Sequence, residues 1–449
     1  MKLSARFLVP LLLGGFSIGS YAAVVTTGSI KNLSQVYQEA LNNSPLLNAQ
    51  KATRDAQKEI VGINLGRALP NVTIVGNASI THASFDSAIS GNFKTAGIGI
   101  ALNQALLNYG VFAGYQYSKQ LASAAESTYD AQQQSFIVQV SKAYFNILLA
   151  EDNVSLSETN LKAAESTLER SQIMFKTGMT TDVDVKQADA NFYTAQATLV
   201  KNKNALEVSW YALYELTGVV QKKFAPLKKD VAFVAPSPDK AGAWFELAKI
   251  HNNNLISQRY ATEASDSLVD TADSLFLPSL SLTASYTATA LSGNAHVVGA
   301  SGLQFHAQSG YIGLNLTWNI LNGGADFATR LQAAQNYEAQ HYKTVDIYRS
   351  LEQSTRNDFN TVIAVMNQVK ALQQSVKSSK VAYEQFLEQY KVGTNTITDV
   401  LDQQRIMFQS MTDLAAAKYN YINSILRLKF DAGTISVKDI RHFNGWLNS

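Results

Sequence analysis

The chain has 449 residues, a net charge of +2, 46% hydrophobic but only 16% charged residues, and no cysteine. So apolar a composition excludes intrinsic disorder, and the balanced charge argues against a nucleic-acid binder. The missing cysteine excludes a disulfide scaffold, a cysteine nucleophile, a Cys-ligated zinc site and a lipid anchor on an N-terminal cysteine.

In chain order, residues 1–22 read as a secretory signal. Lys2 and Arg6 are basic, Phe7 to Phe16 is a short apolar run, and Ser20-Tyr21-Ala22 offers small residues for cleavage after Ala22. A spanning helix needs roughly 20 apolar residues, and no window of the mature chain supplies one. Export without cysteine fits a bacterial periplasm or outer membrane.

The rest of the chain is written twice. Leu69-Pro70 recurs as Leu277-Pro278, Phe145-Asn146 as Phe359-Asn360, Asp184-Val185 as Asp399-Val400, and Gly218 as Gly433. This divides the chain into a first repeat over 23–219, a linker over 220–241, a second repeat over 242–434 and a tail over 435–449. The linker, with Pro226, Pro236 and Pro238 and with Lys222, Lys223, Lys228 and Lys229, reads as solvated. The spacing between copies lengthens between positions 82 and 97, so the second copy is expected to hold a longer loop there.

Each repeat reads as helix, strand, strand, long helix, helix, a mostly α plan with a small β part. Helices are expected over 34–68, 113–175 and 185–217, and again over 242–276, 327–390 and 399–432. At about 1.5 Å per residue the longest ones reach about 95 Å, and the two shorter helices of each repeat, laid end to end, match them. Val154, Leu161, Leu168 and Phe175 fall every seventh residue, with Ser157, Ala164 and Ser171 between them. Val185, Phe192, Leu199, Leu206 and Leu213 repeat the device with Ala188 and Ala195. In the second repeat Val369, Val376, Tyr383 and Tyr390 form one seam, and Val400, Met407, Leu414, Tyr421 and Leu428 the other. Such spacing imposes coiled-coil packing.

Strands are expected at about 70–82, 94–105, 278–290 and 310–320. They alternate cleanly: Val72, Ile74 and Ile80 against Asn71, Thr73 and Asn77, or Leu314 and Leu316 against Gly313 and Asn315. This is the pattern of an outer-membrane barrel, although an ordinary half-buried antiparallel sheet gives the same alternation. Barrels start at about eight strands, and an open edge in lipid leaves backbone groups unpaired. In a membrane, several chains must therefore share one barrel.

Enzyme signatures are missing: there is no P-loop, no G-x-S-x-G and no H-E-x-x-H. His82, His296 and His306 lie near strand ends, where a shared metal site competes with simple surface placement. We expect no catalytic residue, no cofactor and no metal. The informative stretch runs from Val392 through Gly393, Thr396 and Asp399 to Asp402. Gly393 can end a helix, and Thr396 with Asp399 resembles a capping box, as do Thr181 and Asp184 after Gly178. Capping alone explains Asp399 and Asp184. Asp402 differs, because its counterpart in the first repeat is Gln187. Asp399 and Asp402 share a helix face. Around a pore they would form acidic rings that attract cations.

The duplicated plan, the paired strands and the run Val-Gly-Thr-x-Thr-x-x-Asp-Val-Leu-Asp resemble the TolC family of outer-membrane export ducts, over nearly the whole mature chain. The resemblance implies a homotrimer with a 12-stranded β-barrel in outer-membrane lipid and a 12-helix coiled-coil α-barrel in the periplasm. It implies a passive exit duct for drug efflux or type I protein secretion, served by a periplasmic adaptor (membrane fusion) protein and an inner-membrane transporter of RND or ABC type. It assigns the pore constriction to Asp399 and Asp402, and a closed-state hydrogen bond to Tyr390 with Asp184. Adaptor docking falls to the helix-turn tips Thr177, Gly178, Met179 and Val392, Gly393, Thr394. The family's second link uses an Arg and a Thr where this chain has Asn395 and Val183, so Asp182 or a weaker closure is expected there. The rival is a secreted or surface-attached coiled-coil fibre, adhesin-like and without channel activity.

Overall fold

The computed structural model describes residues 24–25, 30–85, 89–297 and 300–448. The signal over 1–22 lies outside them. The elements run β1 (Val24–Val25), α1 (Leu33–Asn43), α2 (Pro45–Gly66), β2 (Asn71–Phe85), β3 (Ile89–Leu107), α3 (Tyr109–Lys176), α4 (Asp182–Thr217) and β4 (Val219–Val220) in the first half. The second half holds α5 (Ala241–His251), α6 (Asn253–Asp273), β5 (Ser279–Val297), β6 (Ala300–Thr317), α7 (Ala325–Lys391), α8 (Ile397–Asp431) and α9 (Val437–Asn444). At 68 and 67 residues, α3 and α7 are each about 100 Å long.

The helices expected over 34–68 and 242–276 are each broken in two. Ser44 leaves the helical conformation, caps α2 through Leu47 N, and is followed by Pro45 at the first helical position. Asn252 caps α6 through Leu255 N in the same way. The breaks receive the ends of the other helices. Asn43 Nδ2 donates to Thr217 O at the end of α4, and Asn252 Nδ2 to Asp431 O at the end of α8. The pieces abutting end to end are therefore α2 with α4 and α6 with α8, while α1 and α5 turn aside. Gly433 permits the second junction: a Cβ there would stand 2.1 Å from His251 O.

Along α3 and α4 the small residues carry the contact. Ser157, Ala164, Ser171, Ala188 and Ala195 are buried, whereas Val154, Leu161, Leu168, Val185, Phe192 and Leu199 are half-buried and Phe175 is exposed. Asn202 Nδ2 donates to Ser157 Oγ at 2.6 Å. Counting seven residues along each antiparallel helix from that bond sets Ala164 opposite Ala195 and Ser171 opposite Ala188. The heptad thus brings two backbones close, and its larger side chains flank the seam.

The main core is a belt at mid-height. Phe136, Val140, Tyr144 and Phe145 of α3 meet Phe359 and Val362 of α7, Tyr419 and Ile422 of α8, and Leu33 and Val36 of α1. The expected linker and tail enter this belt. Phe224 and Ala225 are buried, as are Ile440, Phe443 and Leu447, and Tyr144 Oη donates to Ala225 O at 3.0 Å. The lysines made 220–241 read as solvated; they are exposed, and the apolar residues between them face inward.

The four long strands form one antiparallel sheet in the order β2-β3-β5-β6, so β3 and β5 join the two repeats. Pairing sets Val72, Leu102, Ala284 and Ile312 in one row across the sheet. Most apolar residues of the four strands therefore share a face, with Val75, Phe93 and Tyr311 on the other. In β3 that even-numbered set is exposed from Asn92 to Ile100, while Gly91, Phe93, Thr95 and Gly97 are half-buried; the apolar face is the convex one. The strands outrun their expected ends at the hairpin tips, because ladder pairing continues after the apolar alternation stops, through Phe85↔Ile89 and Val297↔Ala300. The second hairpin, over 279–317, is only two residues longer than the first, over 71–107, and carries a register shift between Gly293 and His296; most of the extra length lies instead at 318–324, between β6 and α7, where the first copy has Asn108 alone. Trp318 to Ile320, expected as strand, lie beyond β6. Exposed Tyr109, Phe112, Phe276 and Trp318 gather where sheet meets helices.

Within the belt, Glu151 of α3 is pushed up to about 7, first by the water it loses and then by the neighbouring Asp152 carboxylate. The folded chain then holds a proton that the unfolded chain releases, so the contribution to stability is full below about 4.5 and lost as pH rises through about 7. Thermal unfolding of the wild type should accordingly shift downward between those pH values more than that of Glu151→Gln. Parallel profiles would show that Glu151 titrates normally.

Candidate functional site

The chemistry-bearing residues of the sequence gather at the end of the helical column farthest from the sheet. There α3 passes to α4 through Thr177 to Thr181, and α7 passes to α8 through Val392 to Thr396. Both turns use a glycine in the left-handed region, Gly178 at φ 75° and Gly393 at φ 77°. Met179 N donates back to Met174 O, and Thr394 N to Gln389 O, which satisfies helix-end carbonyls in the Schellman manner.

Each following helix opens on a capping box. Thr181 Oγ1 accepts from Asp184 N, while the Asp184 carboxylate accepts from Thr181 N at 2.9 Å and from the Thr180 and Thr181 hydroxyls at 2.7 Å. These donors, the Thr180 hydroxyl first, hold Asp184 below the usual carboxylate range. Thr396 and Asp399 repeat the box, with Thr396 Oγ1 donating to Asp399 Oδ2 at 2.6 Å. Asp399 is therefore a helix cap, half-buried, whatever else it does. Asp402 is exposed one turn on. Its carboxylate has a neighbour that its own helix supplies: Arg405 Nη2 lies 3.6 Å from Asp402 Oδ1. The sequence carried that signal as a spacing of three, and reasoning from the acid pair alone missed it.

Beneath the turns, Met174, Tyr390, Ile397 and Val400 form a small apolar cluster. Tyr390 is buried in it, and its hydroxyl lies 3.2 Å from Ser171 Oγ of α3. Among the described residues no hydrogen bond joins Tyr390 to Asp184; the Asp184 carboxylate is taken up by its own cap. Asn395 donates to Gln389 of its own hairpin, and Val183 is exposed. Near the turns, the links that cross between the two hairpins are uncharged. Thr398 Oγ1 donates to Gln187 Oε1 at 2.9 Å, joining α8 to α4, and Gln404 Nε2 donates to Asn160 Oδ1 at 2.9 Å, joining α8 to α3. Gln187 stood out in the sequence only as the counterpart of Asp402, and nothing there marked Thr398.

Thr177, Gly178, Met179, Val392, Gly393 and Thr394 are all exposed. Met179 at 67% and Val392 at 76% present apolar surface to water. Losing an N-cap side chain costs about 1 kcal/mol. Thr396→Ala should therefore speed amide exchange over residues 397–400 by roughly fivefold in hydrogen-exchange mass spectrometry, with the belt unaffected. Unchanged exchange would mean that this cap does not hold the start of α8.

The chain matches the outer membrane efflux protein family over residues 36–219 and 244–434, one segment in each repeat. The outer membrane protein TolC of Vibrio cholerae is 30% identical over 440 residues, covering 98% of each chain. The alkaline protease secretion protein AprF of Pseudomonas aeruginosa is 24% identical over 413 residues, 90% of this chain and 85% of that one. The CmeC outer membrane channel of Campylobacter jejuni shares the fold, with a TM-score of 0.75 at 20% identity over 100% of this chain and 98% of that one. These matches set aside the secreted fibre and the enzyme, and place the protein in the outer membrane, reaching into the periplasm. With both repeats matched and a relative aligned along its whole length, this chain belongs to the outer membrane efflux protein family, the TolC family that its sequence resembles.

Proposed function

We propose that three copies of the chain close into one passive exit duct, gated at its periplasmic end. The observation that carries this is the sheet: β2 and β6 each pair on one side only, and the convex face of the sheet is apolar. Such an edge cannot be left open in lipid, where each unpaired backbone group costs several kcal/mol. Joining β6 of one chain to β2 of the next satisfies both edges. Three chains, the number the family resemblance implies, give twelve strands and, from α3, α4, α7 and α8, twelve helices.

At the periplasmic end, three copies of Asp399 and Asp402 stack as acidic rings that favour cations. Asp399 is held by its cap, and Arg405 tempers Asp402. The crossing bonds from Tyr390, Thr398 and Gln404 supply the closed state in place of a charged lock, each worth about 1 kcal/mol net. Opening swings α7 and α8 outward and breaks them. The exposed tips at Thr177 to Met179 and Val392 to Thr394 receive a periplasmic adaptor, which links the duct to an inner-membrane transporter. The named relatives include a protease secretion protein, and the family is an efflux family, so both drug efflux and type I secretion suit this duct.

In planar bilayers, replacing Asp399 and Asp402 together by Ala should lower the cation-to-anion permeability ratio, and Arg405→Gln should raise it. Unchanged selectivity in both would sink the acidic-ring reading. Tyr390→Phe combined with Thr398→Val should raise single-channel conductance, because two crossing bonds per chain are lost. If conductance stays at the wild-type level, closure rests on other contacts.

A further inference from the structure

Across β2, β3, β5 and β6 there is a single formally charged residue among all the strand positions, and it is Lys94. It stands on the convex, apolar face. Pairing places it in the row Ile80, Lys94, Ser292, Gln304, directly above the row Ala78, Ala96, Ala290, His306. These two complete rows line an open groove of about 520 Å³. Its floor is three alanines, continued in the row below by Gly76 and Ala288, and its rim carries an ammonium, a hydroxyl, an amide and an imidazole. Among the described residues no carboxylate pairs with Lys94.

Height decides what this groove can meet. Lys94 pairs with Ser292, twelve residues along β5 from Leu280, which shares the lowest apolar row with Leu316. Twelve residues span about 41 Å along a strand, or about 29 Å along the membrane normal at a tilt of about 45°. The apolar band of an outer-membrane barrel is about 25 Å tall, and an unpaired ammonium is tolerated only near its edges. The helices occupy the periplasm, so the hairpin tips point outward and Lys94 reaches the headgroup level of the outer leaflet.

We propose that this groove is a lipid site, in which the phosphate of an outer-leaflet lipid meets Lys94 and an acyl chain lies over Ala78, Ala96 and Ala290. Charge complementarity selects the headgroup: a lone cation beside three neutral hydrogen-bonding side chains suits an anion with several acceptor oxygens. The small side chains select the acyl chain, because Ala78, Ala96 and Ala290 leave open space beside Ile80 in this groove. The site rests on the barrel reading given above.

The test uses the purified, delipidated protein in neutral detergent, titrated with lipid A, with phosphatidylcholine and inorganic phosphate run in parallel. Lipid A should raise the thermal midpoint of the wild type, while phosphatidylcholine and inorganic phosphate should leave it unchanged. In Lys94→Gln, half-saturation should need at least fivefold more lipid A. Ala290→Leu, which keeps every polar group and fills the furrow, should weaken binding as well, and Lys94→Arg should preserve it. Equal lipid A response in the wild type and Lys94→Gln, or the same rise with inorganic phosphate, would overturn the proposal. Each variant is also checked for wild-type conductance: an intact channel with lost lipid response bears on the groove alone, whereas a wild type that forms no channel counts against the duct.

Discussion

A β-strand in hydrocarbon must find a hydrogen-bonding partner on both sides, and the rest of this protein is arranged around that demand. Water is absent at that depth, so an edge that would be harmless on a soluble sheet becomes unaffordable. One chain supplies two hairpins, fused into one sheet by the β3–β5 ladder, and leaves the outer edges of β2 and β6 unpaired. The gene duplication and the long helices follow the same logic. Each hairpin must be fed and drained by helices from one side only, so both helix pairs leave the sheet together and run in parallel for about 100 Å.

A column that tall cannot rest on one globular core. Its stability is spread along seams, where Ser157, Ala164 and Ser171 face Ala188, Ala195 and Asn202 at close range, and concentrated once, at the mid-height belt. The belt is where the chain departs from simple repetition. The ends of α4 and α8 abut the breaks at Ser44 and Asn252, α1 and α5 turn aside, and the segment 221–240 and α9 close over Tyr144 and Phe145. Aromatic edges do much of this packing: Tyr144 meets Phe145 and Phe224 at near right angles, and Phe145 meets Phe443.

At the periplasmic tip, capping accounts for two of the carboxylates. Asp184 and Asp399 sit at equivalent places and do the same local work, accepting from the start of their helices, where the macrodipole also favours a carboxylate. Asp402 has no such local duty, and Arg405 beside it moderates its charge. The neutral bonds from Ser171, Gln187 and Asn160 are short-range and break separately. They respond little to salt, unlike an exposed ion pair, which is screened over about 10 Å at 0.1 M ionic strength.

The sequence by itself determined the duplication, the strand alternation, the lengths of α3, α4, α7 and α8 within a few residues and the two capped turns, because each of these is local or periodic. Period two marks the face of a strand, period seven marks a helix seam, and glycine with a Thr-x-x-Asp box marks where a helix ends and the next begins. Only the tertiary structure decided which small residues are buried, how the two hairpins join, and what Tyr390 touches. It also decided that Phe224 and Phe443, in segments that read as linker and tail, complete the belt. Lys94 was visible as a letter, but its height and its place on the convex face depend on strand register. Contacts such as Ser171 with Tyr390 join residues more than two hundred positions apart, and no local pattern in a single chain records which distant neighbour a side chain will meet.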